Sequence, residues 1–280
     1  SEAARTLPEN FMNIYDVSKK AGVSIATVSR VLNGNANVSD KTKNKVLVAM
    51  KELDYTPNIF ARGLGLNTMK TIGIMCSDSS DTYLANAVYY LEQELRRHNY
   101  DSILCCTGQD SETKKKYLDL LISKRVDGII LAGSQFVLNQ PGSDNRYILD
   151  AAKEVPIVLA NGFLPGKNIY SVMCNDTAAV YDATSRLIAA GRRQIVYLYT
   201  STSYSGMNKL KGYKNALSDA GIPLREEWTH LCTKNIQRAK DYLNTLYDKG
   251  ISFDAVVTSD DSLAVGAVKY AYEHRIAIPE

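Results

Sequence analysis

Within residues 14–37, one set of side chains is spaced to read nucleic acid. Ile25, Ala26, Thr27, Ser29, Arg30 and Asn33 share one side of a predicted helix and combine two short apolar groups, two hydroxyls, a guanidinium and an amide. Such groups suit base edges and phosphates better than a protein core. Ile25 and Ala26 can meet a thymine methyl but cannot make bidentate base contacts. Arg30 can reach a guanine or a phosphate, while Thr27, Ser29, Asn33 and Tyr15 suit positioning on the backbone.

These residues need a scaffold, and the flanking pattern supplies one. Val17 and Ala21 lie four apart on one helical face, Gly22 allows a sharp turn, and Val28, Val31 and Leu32 form the apolar side of a second helix. Ser24 is placed to cap that helix. Helices are predicted near 15–21, 25–33 and 40–54, the third with Ser39 as N-cap and Asp40 in its first turn. Val46, Ala49, Met50 and Leu53 give it one apolar face to close over the other two. Lys41, Lys43 and Lys45 can reach phosphates or simply solvate the helix. Pro57 ends the module. The segment 58–66 that follows is too glycine-rich to be a stable helix alone, because Gly63 and Gly65 each cost about 1 kcal/mol relative to alanine.

From Thr71 onward strand and helix alternate. Strands are expected near 71–76, 102–107, 127–132, 156–160, 194–199 and 254–258, and helices near 83–98, 111–124, 176–190, 205–220, 236–249 and 261–274. That order implies parallel sheets covered by helices, with ligands at the carboxyl ends of the strands.

The run Val23-Ser24-Ile25-Ala26-Thr27-Val28-Ser29-Arg30-Val31-Leu32-Asn33 resembles the DNA-binding signature of the LacI/GalR family of bacterial transcription repressors. The likeness continues through Val38-Ser39-Asp40-Lys41-Thr42, Tyr55-Thr56-Pro57-Asn58 and Ala61-Arg62-Gly63-Leu64, and in weaker form to the end of the chain. The resemblance implies a small all-α helix-turn-helix domain plus an α/β periplasmic-binding-protein-like domain of two doubly wound parallel-sheet subdomains, its C-terminal part missing. On that plan residues 1–11, which match nothing in the family, are an added remnant before a natural start at Met12, and 12–57 are the DNA-binding domain. Residues 58–69 form a hinge helix and linker, 70–161 the first effector subdomain and 162–280 the second, with Asn161-Gly162 a first crossing between them. The resemblance adds Ser24, Asn37, Asn58 and Ala61 to the DNA-facing residues and makes Leu64 the side chain wedged into the minor groove at the operator centre. It places a sugar-sized cleft between the subdomains, with Tyr83, Leu84, Asn161, Ser205, Lys209 and Asp260 as effector-binding residues. Lys209 stands where the family usually has an arginine, and lysine lacks the planar fork for two parallel bonds. Trp228 and His230 can contribute an aromatic wall. Family members continue past Glu280 through a further strand and further effector contacts, without which sheet edges and apolar surface would be exposed.

The bulk properties fit this reading. The net charge of +3 lies wholly in residues 1–66, which hold nine Lys/Arg against six Asp/Glu, while residues 67–280 balance. Five cysteines in no ligand-like spacing read as buried free thiols of a reducing cytoplasm. The three histidines are widely spread, with His98 and His274 expected at exposed helix positions, so neither a metal nor another cofactor is called for. Most of the 18 tyrosines, Tyr89, Tyr90, Tyr117, Tyr213 and Tyr242 among them, are expected to pack helices. No apolar run approaches membrane-spanning length and no signal peptide is visible. The expected protein is therefore a cytoplasmic, nucleoid-associated homodimer that binds double-stranded operator DNA, responds to a sugar or sugar derivative and makes no membrane contact. A sugar-binding transport protein on the same α/β fold is the second class, opposed by residues 13–66. An enzyme is the third, but the chain has no Gly-x-Ser-x-Gly elbow, Walker loop, metal-binding His/Glu pair or Cys-x-x-Cys.

Overall fold

A computed structural model describes residues 12–34, 37–56, 68–138 and 144–278. Asn58, Ala61 and Leu64, most of the expected hinge and the first eleven residues lie outside that set. The chain divides into two compact units, residues 1–71 with 125–127 and residues 72–124 with 128–280.

The first unit carries three helices, α1 (Ile14–Ala21), α2 (Ile25–Leu32) and α3 (Asp40–Glu52). Each begins at a side-chain cap. Asn13 accepts from the Tyr15 N–H at 2.8 Å while Asp16 accepts from the Asn13 N–H at 2.9 Å, a reciprocal capping box. Ser24 accepts from the Thr27 N–H at 3.2 Å and Ser39 from the Thr42 N–H at 3.4 Å. Between α1 and α2, Gly22 has a φ of 64°, a conformation that costs glycine little. The Ser18 hydroxyl closes that turn by donating to the Val23 carbonyl at 2.6 Å. Val17, Ala21, Val28, Val31, Val46 and Ala49 are the core, and Lys20 pairs with Glu52 at 2.9 Å to tie α1 to α3. Because so small a core is marginal, Ser24→Ala is expected to cost the module about 1 kcal/mol. Ser24→Asn should recover most of it, as read by thermal melting of the two variants.

The second unit contains two sheets. Strands β1 (Thr71–Cys76), β2 (Asp101–Cys106), β3 (Gly128–Ala132), β4 (Ile157–Ala160) and β5 (Ile169–Val172) lie in the order β2-β1-β3-β4-β5, and the β1–β3, β3–β4 and β4–β5 pairs are parallel. Strands β6 (Ile195–Tyr199), β7 (Thr229–Leu231) and β8 (Ala255–Thr258) form a parallel sheet in the order β7-β6-β8. The helices are α4 (Thr82–Arg97), α5 (Ser111–Ser123), α6 (Arg146–Ala151), α7 (Asp176–Ala189), α8 (Tyr204–Asp219), α9 (Ile236–Asp248) and α10 (Asp261–Glu273).

Strand β6 shows why the helices cover both faces. Its side chains alternate: Ile195 and Tyr197 pack with Leu210, Tyr213 and Leu217 of α8, whereas Val196 and Leu198 pack with Leu243 and Leu246 of α9 and Leu263 of α10. Two aspartates tether chain segments by the same device. Asp127 accepts from the Thr68 hydroxyl at 2.9 Å and the Met69 and Thr71 N–H groups at 3.1 Å. Asp254 accepts from the Arg193 and Gln194 N–H groups at 2.8 and 2.9 Å.

Several expectations are corrected. After Asn161-Gly162 the chain forms β5, which stays in the first sheet beside β4, so the passage to the second sheet falls at residues 173–175. Helix α6 and the short strands β5 and β7 carry too few residues for their periodicity to be read. Cys76, Cys105 and Cys232 are buried thiols, but Cys106 and Cys174 are exposed. His274 is half-buried at the end of α10, between Tyr247 and Tyr270 and hydrogen-bonded to Asn244. Tyr89 and Tyr90 project from α4 into solvent.

Candidate functional site

On the helix-turn-helix, the apolar residues of α2 turn inward and leave a defined outer face. Ile25, Ala26 and Arg30 are exposed on it, as is Tyr15 on α1, which is 67% exposed. Ser24 is exposed, but its hydroxyl is engaged as the cap and with the Thr27 hydroxyl at 2.9 Å. Thr27 and Ser29 are half-buried. Asn33 is half-buried beyond the end of α2, with its amide nitrogen 3.5 Å from the Ser29 hydroxyl, and Asn37 is exposed. Arg30 and the two small apolar residues are therefore the most available groups of the expected set on α2. The positive end of α2, its N-terminus, carries Ile25 and Ala26, as a helix entering a groove by its first turn requires.

In the second unit a cleft of about 620 Å³ opens at the carboxyl ends of the strands. Asp78, Ser80, Asp81 and Thr82, which follow β1, line one side. Lys234, Asn235, Ile236 and Gln237, at the start of α9, and Ser262 and Lys269 of α10 line the other. Polar groups that can pair with hydroxyls or with charge dominate this lining. In its lining the Lys234 ammonium lies 2.5 Å from Asp81 and 3.1 Å from Asp260. Burial works to raise the Asp260 carboxyl, but the Ser262 hydroxyl and N–H, with Lys234, outweigh it and hold the group below the usual carboxylate range. Burial likewise works against the Lys234 charge, and hydrogen bonds to Asp81 and Asp260 keep its ammonium above the ordinary lysine value.

None of the six expected effector residues is among those that line this cleft, although Asp260 adjoins it through Lys234, and the six have different roles. Asp260 caps α10 and pairs with Lys234. Lys209 of α8 donates to the Ser259 carbonyl at 3.0 Å, next to Asp260. Ser205 is buried one turn before it. Tyr83 is 59% exposed, and partial burial, then the charges of Cys174, Asp176 and Asp81, push its phenol up. Leu84 points into the core with Cys76 and Ala132, and Asn161 follows β4 with a φ of 67°. Trp228 is also core, its ring under the Arg225 guanidinium, and His230 stacks on Tyr242 with centroids 3.7 Å apart, so packing accounts for both. Sequence reading missed Asp81 and Lys234. The signal available was positional: each stands at or just before a helix start that follows a strand.

The chain matches two family models, "Bacterial regulatory proteins, lacI family" over residues 13–58 and "Periplasmic binding proteins and sugar binding domain of LacI family" over residues 69–279. The chain belongs to the LacI family. An "HTH-type transcriptional regulator" from Lachnoclostridium phytofermentans is 61% identical over 96% of this chain and 80% of that protein. The "HTH-type transcriptional regulator RegA" of Clostridium saccharobutylicum is 33% identical over 96% of this chain and 80% of that protein. Among solved structures, the lac repressor dimer bound to operator and the anti-inducer ONPF superposes with a TM-score of 0.81 at 23% identity, covering 96% of this chain and 80% of that one, a likeness of fold. A LacI-family regulator from Silicibacter pomeroyi gives 0.74 at 27% identity over the same shares. This LacI-family chain is thus a DNA-binding transcriptional regulator, and its relatives are regulators rather than enzymes. Among its described residues no helix is long and apolar enough to cross a membrane.

Proposed function

We propose that this regulator is a repressor whose operator affinity is set by a small-molecule effector, a sugar or sugar derivative, bound between the two α/β subdomains. The observation that carries this reading is the polar cleft at the strand ends, large enough for a sugar and built from loops of both sheets. A ligand that touches both subdomains changes their disposition only by its differential affinity for the two arrangements. Ser80, Thr82, Asn235 and Gln237 in the cleft, with Asp260, which adjoins it through Lys234, and Lys209 beside Asp260, are groups able to meet ligand hydroxyls. As a homodimer, the protein sets two α2 helices in successive major grooves of a pseudo-palindromic site, with Ile25, Ala26 and Arg30 toward bases. It works in the cytoplasm, on the nucleoid.

Genome-wide footprinting of the protein in its native cell, followed by binding to the best site at several salt concentrations with and without candidate sugars, tests the proposal. Discrete pseudo-palindromic sites near transport or catabolic genes, with affinity changed by one sugar, are the expected result. Diffuse, salt-sensitive binding alone would overturn sequence-specific regulation. Leu64, wedged at the operator centre, gives a second check. Leu64→Ala is expected to weaken operator bending and affinity while the α/β domain melts unchanged, and equal bending by both proteins, read by circular-permutation gel shift, refutes the hinge.

A further inference from the structure

Among the described residues, the two subdomains of the second unit touch at two sets of loops. One set is neutral: the Ser134 and Ser203 hydroxyls lie 2.9 Å apart and the Tyr204 N–H donates to the Val137 carbonyl at 3.3 Å. The other is ionic and centres on Lys234, which precedes α9 in the second subdomain and reaches Asp81 of the first. Both carboxylates on Lys234 are fixed at their other oxygen. Asp81 accepts from the Leu84 N–H at 3.1 Å at the head of α4, and Asp260 accepts from the Ser262 N–H at 2.9 Å at the head of α10. The lysine therefore joins the N-termini of two helices that belong to different subdomains. The Asp81 and Asp260 side chains are only 16% and 22% exposed, so salt screens them less than an open surface pair.

We propose that Lys234 is an ionic latch on the cleft, a regulatory device that holds the subdomains together in the absence of ligand by offsetting the repulsion between their own carboxylates. Without its ammonium, Asp78 and Asp81 on one side and Asp260 on the other place like charges around one cleft, with Lys269 the other cation in the lining. Removal of Lys234 thus does more than delete an attraction: it uncovers a force that opens the cleft. An effector then binds against a preset equilibrium, and a change at Lys234 shifts apparent affinity by moving that equilibrium as well as through any contact the lysine makes with the ligand. This inference rests on the reading of the cleft as the effector site.

Hydrogen exchange of the full chain without any ligand tests it, because the Tyr204 amide is protected by a bond that crosses between subdomains whereas the Ile129 amide bonds to Pro156 within one sheet. Lys234→Ala is expected to speed Tyr204 exchange by about tenfold, and Asp81→Asn, which keeps a capping side chain and removes one of the opposed charges, by about threefold. The double variant should fall back to the Asp81→Asn rate, since the repulsion is gone, and Ile129 should not change in any of them. Raising salt should speed Tyr204 exchange in the wild type and slow it in Lys234→Ala. If Lys234→Ala does not fold, Asp81→Asn and the salt series on the wild type carry the test. Tyr204 exchange unaffected by either substitution and by salt would overturn the latch. Sugar titration of the wild type by calorimetry separately tests the effector reading, so the two can fail independently.

Discussion

Arg30→Ala is expected to lower affinity for the specific operator by about 10- to 100-fold, the loss of one good charged contact in a groove, while effector affinity and melting temperature stay at wild-type values. The stability expectation follows from position. Arg30 is exposed in the last turn of α2, makes no ion pair among the described residues, and packs no part of the core formed by Val17, Val28 and Val46. What the measurement reads further is the kind of contact. A guanidinium on a guanine edge gives a loss confined to sites bearing that base, whereas one on a phosphate weakens specific and scrambled duplexes alike and reduces the salt slope by about one. Fluorescence anisotropy with both duplexes at four salt concentrations separates the two. Unchanged affinity for every duplex would remove α2 from the groove and leave the α/β domain as a ligand binder, the reading that residues 13–66 oppose.

The DNA-binding module was almost wholly legible because its determinants are local. Ser24 and Ser39 act within three residues of themselves, Gly22 answers to its own φ, and the apolar spacing of Val17, Ala21, Val28 and Val31 is complete within fifteen positions, whereas the Asn13 capping box, though equally local, was not read. The strands of the second unit were legible for a related reason: runs such as Gly128–Ala132 and Ile195–Tyr199 are apolar throughout because helices cover both faces. The three-residue β7 and four-residue β5 exist because a neighbouring strand pairs with them, and no periodicity of their own announces that. The same distinction divides the cleft. Asp260 was recognisable from the strand before it, but the partnership of Asp81 with Lys234 spans 153 positions, and nothing near either residue names the other. Lys209 shows the converse. Its type and position pointed to a ligand, and its ammonium is found on the Ser259 carbonyl, where it steadies the loop that presents Asp260.

Gly212→Ala should destabilise the α/β domain by about 3 kcal/mol, at the upper end of what overpacking costs, and Gly212→Val should prevent its folding. The reason is distance rather than backbone conformation. A Cβ at Gly212 of α8 would lie 2.3 Å from the Thr177 carbonyl oxygen and 3.0 Å from the Tyr181 nitrogen of α7, all backbone atoms that no rotamer change can move. The helices cannot separate freely either. The next residue, Tyr213, is fully buried with its ring stacked 4.9 Å from Tyr197, and its hydroxyl donates to the Ile195 carbonyl at 2.7 Å, so moving α8 off α7 pushes it into β6. The Thr177 hydroxyl, which donates to the Asn208 carbonyl at 3.1 Å, would be lost in the same shift. Gly22 is the instructive contrast: a Cβ there meets nothing within 4 Å, and only its left-handed φ of 64° is at stake, so Gly22→Ala should cost the small module about 1 kcal/mol. Calorimetric scans of the full chain distinguish the two, since Gly212→Ala should lower the transition of the α/β domain by about 6–12 °C and Gly22→Ala only that of the helical module. A Gly212→Ala protein that melts with the wild type would mean that α7 and α8 do not meet backbone to backbone, and the packing assigned to the second subdomain would have to be abandoned.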